Sequence, residues 1–493
     1  MFCFSASYEW CKKLNFFHLN GTCLVSLKIR VQKYFSFDTT MYKLIFIILN
    51  ILKTKLIIFA VLCVSVTTFS QKKWTIKEAV DQALAKNISI QQNKLGVALA
   101  KRDVAIAKGN FLPNLNGNTG GNLNFGSGFD PVSNNRISTS IFGGSVGVSS
   151  GYTVFNGFRN TNTYKQAQLG VKVSLLDLKK IENDISLRVL NTYLNVLFAK
   201  ENLEVAKVQA AISEKQIEAA RARFQAGSVA KGELLNFKST AANDLQNVIL
   251  QENALDLALL TIAQLLQEPV DGFDIAPIKV VSPSAELFFQ NSETVFQQSL
   301  DYMPEIARAK LAIDNATFNI LLAKSSFLPT VTASLGLSTN YGFNLNLPEG
   351  VSNTALFSQL DNNLGYGGGF NISIPIFNRF QTKNRVAQSI INKEISETRL
   401  ESEKLQLKQT IEQAFLDAKS GLKAYEAAKI SLAAQKEAFK NAEESYTYGS
   451  TTLFDFDLVR TRLVNAEGAM IRAKYDYVFK TKVLQFYSGE LVF

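Results

Sequence analysis

The sequence predicts a mainly α-helical chain with a small β portion, built as one unit written twice. Three observations carry that expectation. Proline is absent from Asn156 to Glu268 and again from Ile376 to Phe493, two stretches of more than 110 residues each. Glycine gathers elsewhere, with 11 of 28 in residues 109–157 and seven more in 336–369. A set of short marks then recurs along the chain at a nearly constant spacing.

The N-terminus is different in kind. Cys3, Cys11, Cys23, Cys63 and His18 all lie in the first 70 of 493 residues, so nothing beyond contains cysteine or histidine. Eight basic and two acidic residues fall there as well, and the net charge of +10 drops to +4 in the remainder, 44 basic residues against 40 acidic. Residues 56–69, LIIFAVLCVSVTTF, follow Lys53 and Lys55, and Thr68 and Ser70 stand at the −3 and −1 positions for cleavage before Gln71. A basic start, a short apolar core and small residues at the cut make a secretory signal peptide. Asn50, Lys53 and Lys55 interrupt any span of the ~20 apolar residues a membrane helix needs. Residues 1–40 show no periodic pattern, and Met41 is the expected initiator. Residues 1–70 thus form an extension and signal peptide. Without them, disulfides, Cys/His zinc sites, haem attachment and Cys-His or Ser-His-Asp nucleophiles are excluded, and no cofactor or metal is expected.

Within the proline-free stretches, Leu178, Ile181, Ile185, Val189, Tyr193 and Val196 step by three or four and share one helical face. A helix from about Phe158 to Ala226 would be ~100 Å long at 1.5 Å per residue, and residues 380–447 repeat that length. Shorter helices fit about 75–110 and 230–267. Laid end to end, they match one long helix. The glycine windows carry a different period. In Phe370-Asn371-Ile372-Ser373-Ile374-Pro375-Ile376 apolar residues hold every even position, and Val331, Ala333, Leu335 and Leu337 alternate with Thr332, Ser334 and Gly336. That alternation suits a strand with one apolar and one polar face, in a soluble sheet or a membrane barrel alike. Each window holds two strands around a Gly/Asn/Ser loop, and Pro375 suits a strand end.

Phe111-Leu112-Pro113 recurs as Phe327-Leu328-Pro329, a shift of 216. Val154-Phe155-Asn156-Gly157-Phe158 recurs as Ile376-Phe377-Asn378-Arg379-Phe380, and Phe224-Gln225-Ala226-Gly227-Ser228 as Tyr446-Thr447-Tyr448-Gly449-Ser450, both by 222. The first structural repeat spans 71–267 (helix, β-hairpin, long helix, helix), the proline-bearing linker 268–289 and the second repeat 290–493. Four strands cannot close a barrel, and an open sheet with an apolar outer face leaves its edges unpaired in lipid. Three chains supply twelve strands and a hollow barrel, so a homotrimer is expected.

With these marks in place, the sequence resembles the TolC-like outer-membrane efflux proteins over nearly all of residues 74–487. Arg221, Phe224-x-x-Gly227 and Tyr446-x-x-Gly449 add to the paired Phe-Leu-Pro and Phe-Asn marks. The resemblance implies a trimer whose 12-stranded β-barrel sits in outer-membrane lipid of a Gram-negative bacterium and continues as a long α-helical tube through the periplasm. It implies partners too: an inner-membrane pump that supplies the energy and a periplasmic adaptor (membrane fusion) protein. The function implied is a passive exit duct for a tripartite efflux or type I secretion system.

The resemblance also places carboxylates that narrow the periplasmic entrance. Asp455 stands six residues after Gly449 and Glu233 six after Gly227; a second acid three residues beyond Asp455 would fall at Leu458, and Asp457 is one position off. Asp455 and Asp457 point about 200° apart on a helix, so both cannot face one axis, and Asp455 is the better candidate for an acidic ring. Its plain alternative is a carboxylate at a helix start, favoured by the macrodipole. Thr451 stands where the family often carries an arginine. The turns Gly227-Ser228-Val229 and Gly449-Ser450-Thr451 are the expected adaptor contacts, and glycine there also simply ends a helix.

An enzyme has little support, since Gly126-Ser127-Gly128 lacks a third glycine and opens no helix. A charge of +4 over 423 residues does not suggest nucleic acid. The competing expectation is a periplasmic coiled-coil scaffold without transport activity, which would have a soluble sheet.

Overall fold

The computed structural model describes residues 73–129, 134, 136–278, 291–347 and 350–490. The expected signal peptide and Met41 start lie outside them. In order, the chain runs β1 (Lys73–Trp74), α1 (Ile76–Lys86), α2 (Ile88–Gly109), β2 (Asn116–Phe129), β3 (Arg136–Asn156), α3 (Arg159–Gln225), α4 (Lys231–Leu266) and β4 (Asp274–Ile275). It continues with α5 (Ser292–Tyr302), α6 (Pro304–Ser325), β5 (Thr330–Asn344), α7 (Leu356–Asn362), β6 (Gly365–Ser373), α8 (Gln381–Thr447) and α9 (Leu453–Ser488).

Helix lengths recur between the halves without change: 11 residues in α1 and α5, 22 in α2 and α6, 67 in α3 and α8, 36 in α4 and α9. The helix expected over 75–110 is divided. Asn87 accepts the Ser89 N–H and caps a second helix, while Thr75 and Glu78 form a capping box on the first. In the second half Met303 and Pro304 make the same break, with proline at the start of α6, where its missing N–H costs nothing.

The strands form one antiparallel sheet in the order β2-β3-β5-β6. Val148 faces Leu337 and Phe142 faces Phe343 across β3 and β5, and Ala333 faces Phe370 across β5 and β6. β6 ends at Ser373, so the last three residues of the alternating run, Ile374 to Ile376, lie beyond the ladder with Pro375 among them. The expected linker is not bare connection either. β4 lies within it and pairs in parallel with β1.

β3 and β6 each lead into a long helix through two left-handed residues, Gly157 and Phe158 (φ +67° and +63°) in the first case and Arg379 and Phe380 (φ +56° and +61°) in the second. A Cβ on Gly157 would lie 2.6 Å from the Ser325 carbonyl oxygen, so only glycine fits there. The matching corner has more room but carries Arg379, at a strain of about 1–2 kcal/mol.

The main core sits at the middle of α3. Val189, Leu190, Tyr193 and Val196 pack against Ala79 and Ala83 of α1, Ile262 and Leu266 of α4, and Ile471 and Tyr475 of α9. The Tyr193 hydroxyl lies 2.9 Å from the Trp74 carbonyl oxygen and 2.6 Å from that of Ala276, tying β1 and β4 to the helix. Burial and the nearby Asp274 carboxylate push this phenol up to about 12. A smaller cluster joins Val295 of α5, Ile411 and Ala418 of α8 and Leu484 of α9.

Candidate functional site

Two regions hold the residues that the sequence singles out: the turns joining each long helix to its shorter partner, and the two faces of the sheet. Both turns are built alike. Gly227 and Gly449 each have φ +73°. The Ser228 N–H and hydroxyl both donate to the Arg223 carbonyl (3.0 and 2.9 Å), and those of Ser450 donate to the Ser445 carbonyl (2.9 Å each). Gly227, Ser228, Gly449 and Ser450 are exposed, while Val229 and Thr451 are half-buried.

The three candidate carboxylates have different surroundings. Asp455 is exposed; its N–H donates to Thr452 Oγ1 (3.1 Å), and the Thr452 hydroxyl donates to Asp455 Oδ2 (2.7 Å). It serves the helix start and still presents its charge to solvent. Asp457 is half-buried, with Oδ1 3.9 Å from Arg460 Nε. Burial pushes its carboxyl above the usual range; Arg460 opposes this and Asp244 adds to it. Glu233 accepts a hydrogen bond from the Tyr446 hydroxyl, joining the first residues of α4 to the last turn of α8. Tyr446 stacks on Phe456 (5.1 Å between centroids), meets Phe237 edge-on (6.0 Å) and lies under the Arg223 guanidinium (5.5 Å). Burial, and then the Glu233 carboxylate, raise its pKa. The structure therefore joins Glu233 to the second turn's aromatic residues, aims Asp457 at Arg460, and leaves Asp455 exposed with Thr452 as its hydrogen-bond partner.

Sequence reasoning missed Arg460. It is only 7% exposed, and its Nη1 donates to Asp244 Oδ2 (2.9 Å) and Ser213 Oγ (2.5 Å), clamping α9, α4 and α3 together. The available signal was spacing: Phe456, Arg460 and Leu463 fall at i, i+4 and i+7 on the buried stripe of α9.

The sheet separates its residues by chemistry. One face carries Phe142, Val146, Val148 and Tyr152, then Leu335, Leu337, Tyr341 and Phe343, and Phe370 with Ile372. From Gly143 to Thr153 on β3, and along the paired positions of the other strands, the opposite face holds only Asn, Ser, Thr and Gly. In a soluble protein the apolar face would be packed over. Here Leu335 is 67% exposed, Phe370 78% and Tyr366 88%, and no long helix covers them among the described residues. Short α7 only brackets β5 at one end, through Thr339 and Gln359. A sheet with a bare apolar face and two open edges suits hydrocarbon only once the edges are closed. Among the described residues one helix, Lys231–Leu266, is long and apolar enough to cross a membrane. It packs along α3, however, and contains Lys238, Asp244, Glu252 and Asp256.

A sheet of this kind continued by 67-residue helices defines an outer-membrane channel with a helical periplasmic extension. The sequence profile of the family described as Outer membrane efflux protein matches residues 79–267 and 295–490, and the chain belongs to that family. It is 24% identical over 428 residues to the outer membrane efflux protein BepC of Brucella suis, covering 85% of this chain and 86% of BepC. It is also 24% identical over 363 residues to the outer membrane protein TolC of Escherichia coli (68% and 72% covered). The solved structure of VceC from Vibrio cholerae superimposes with a TM-score of 0.68 at 14% identity, over 85% of this chain and 97% of that one. The protein is an outer-membrane efflux channel extending into the periplasm.

Proposed function

We propose that three copies of the chain pair β2 and β6 edge to edge, closing a twelve-stranded barrel, and that the long helices form one tube below it. The duct conducts passively what an inner-membrane pump delivers through a periplasmic adaptor, in drug or metal efflux or in type I secretion. The turns at 227–229 and 449–451 are the adaptor-facing tips. Asp455, repeated three times, forms an acidic ring at the entrance. Glu233 acts by holding the tips together, and Asp457 answers to Arg460. The chain is read as repeats 71–267 and 290–493 joined through 268–289, with no chemical step of its own.

The uncovered apolar face of the sheet is the observation that supports this reading, because a periplasmic scaffold would need that face packed. The test is fractionation followed by conductance in planar bilayers. Detergent-requiring trimers that carry ions are expected. A water-soluble periplasmic protein that never conducts would return the assignment to a scaffold.

A further inference from the structure

The corners where helices meet the sheet form a collar at one level. Asn160 Nδ2 donates to the Asn110 carbonyl (2.8 Å), Arg159 to Ser326 Oγ (2.8 Å), and the Asn114 N–H to the Gly151 carbonyl (3.0 Å). Large apolar side chains stand bare on it: Phe158, Phe327, Ile376, Phe377 and Phe380 are all between 52% and 95% exposed. Phe155 meets Phe158 edge-on at 5.3 Å, and Phe377 meets Phe380 in the same way at 5.5 Å.

The charge at this level is of one sign. Lys108, Arg159, Lys324, Arg379, Lys383 and Arg385 are exposed and lie within a turn or two of the helix ends. The sequence contains no Asp or Glu in residues 104–129, 156–176, 315–347 or 364–393. None of the six cations makes an ion pair among the described residues. Farther along the same helices pairing is common: Arg308 with Asp177 at 2.8 Å, Lys180 with Asp184 at 3.2 Å, Lys393 with Glu397 at 3.4 Å.

We propose that this collar binds the anionic phosphodiester headgroups of phospholipids in the periplasmic leaflet, an inference that rests on the outer-membrane reading above. The Phe and Ile side chains enter the edge of the hydrocarbon, where their apolar surface leaves water. The cations meet the phosphates just below, where Arg presents a planar fork to two oxygens. Peptidoglycan would also offer anions, but it would not explain the bare Phe and Ile side chains at the same height. Each cation close to an anionic surface strengthens binding roughly fivefold, and the effect fades within about one Debye length.

The test uses the full-length channel in vesicles of phosphatidylcholine alone or mixed with phosphatidylglycerol. Lipid retention is read by native mass spectrometry, and thermal unfolding is read alongside. The wild type should retain phosphatidylglycerol over phosphatidylcholine by about tenfold or more, and concentrated salt should shrink the preference. The combined variant Lys324→Gln, Arg379→Gln, Lys383→Gln, Arg385→Gln should insert and conduct yet lose the preference. Lys436→Gln with Lys440→Gln, near the other end of α8, should keep it. Insertion of the wild type without any lipid preference, or a preference untouched by the four substitutions, overturns the collar alone. So does displacement of the lipid by inorganic phosphate or by peptidoglycan fragments at equal concentration. Failure of the wild type to enter either vesicle removes the membrane reading as well.

Discussion

The two 67-residue helices α3 and α8 occupy matching places in the two halves, yet they are buried very differently. Sixteen residues of α3 are buried within the chain, against six of α8. The middle of α3 is surrounded by α1, α4 and α9, whereas α8 leaves Ile391, Leu405, Leu416 and Ile430 between 54% and 72% exposed. Equal length with unequal burial means the two helices have different partners. The first is held by its own chain, and in the proposed trimer the second is the one left for another copy to cover.

Removing what holds α3 should have the largest effect. Arg460→Ala leaves Asp244 and Asp457 facing each other without a counter-charge, at an expected loss of about 3–5 kcal/mol in the unfolding free energy; a loss below 1 kcal/mol would show the clamp to be incidental. Leu190→Ala, in the core at the middle of α3, should cost about 2–5 kcal/mol. Leu405→Asp on α8 provides the contrast: it should change unfolding of the isolated chain by no more than about 0.5 kcal/mol, while cross-linking detects fewer trimers. Equal effects on folding from the two would dissolve the distinction between the helices.

Smaller effects are expected at the tips. Tyr446→Phe keeps the stacking and loses the bond to Glu233, worth about 1–3 kcal/mol, and should raise single-channel conductance by letting the halves part. Asp457 gives a pH signature. Its folded pKa lies above the unfolded value, so its contribution to stability falls as pH rises through that interval and returns on acidification. Asp457→Asn should be more stable than wild type at pH 7 and lack that part of the gain in acid, as a pH series of thermal melts would reveal. Last, Asp455→Ala should reduce cation preference and divalent block with little change in melting. Unaltered selectivity would leave Asp455 a helix-start carboxylate and nothing more.

Much of this fold was legible because its environments are extreme. Long helices without proline announce themselves by composition, and strands with one lipid-facing side alternate cleanly, as Val331 to Leu337 do. The β1–β4 pairing was hidden because two residues per strand carry no period. The break at Asn87 was hidden because a capping asparagine leaves hydrophobic spacing intact on both sides. At the tips, spacing located Glu233, Asp455 and Asp457 but could not say which faced solvent. That depended on Tyr446 and Arg460, which come from elements over 200 residues away from Glu233 and Asp244.

The polar face of the sheet has a consequence for electrical behaviour. Along Asn116 to Gly128, Gly143 to Thr153, Thr330 to Asn344 and Gly365 to Ser373 it offers amides, hydroxyls and bare backbone without a formal charge. A solute moving past it meets no step in potential, whatever its sign. Among the described residues of that face, then, nothing sorts ions by charge, and charge substitutions placed in it should create selectivity there.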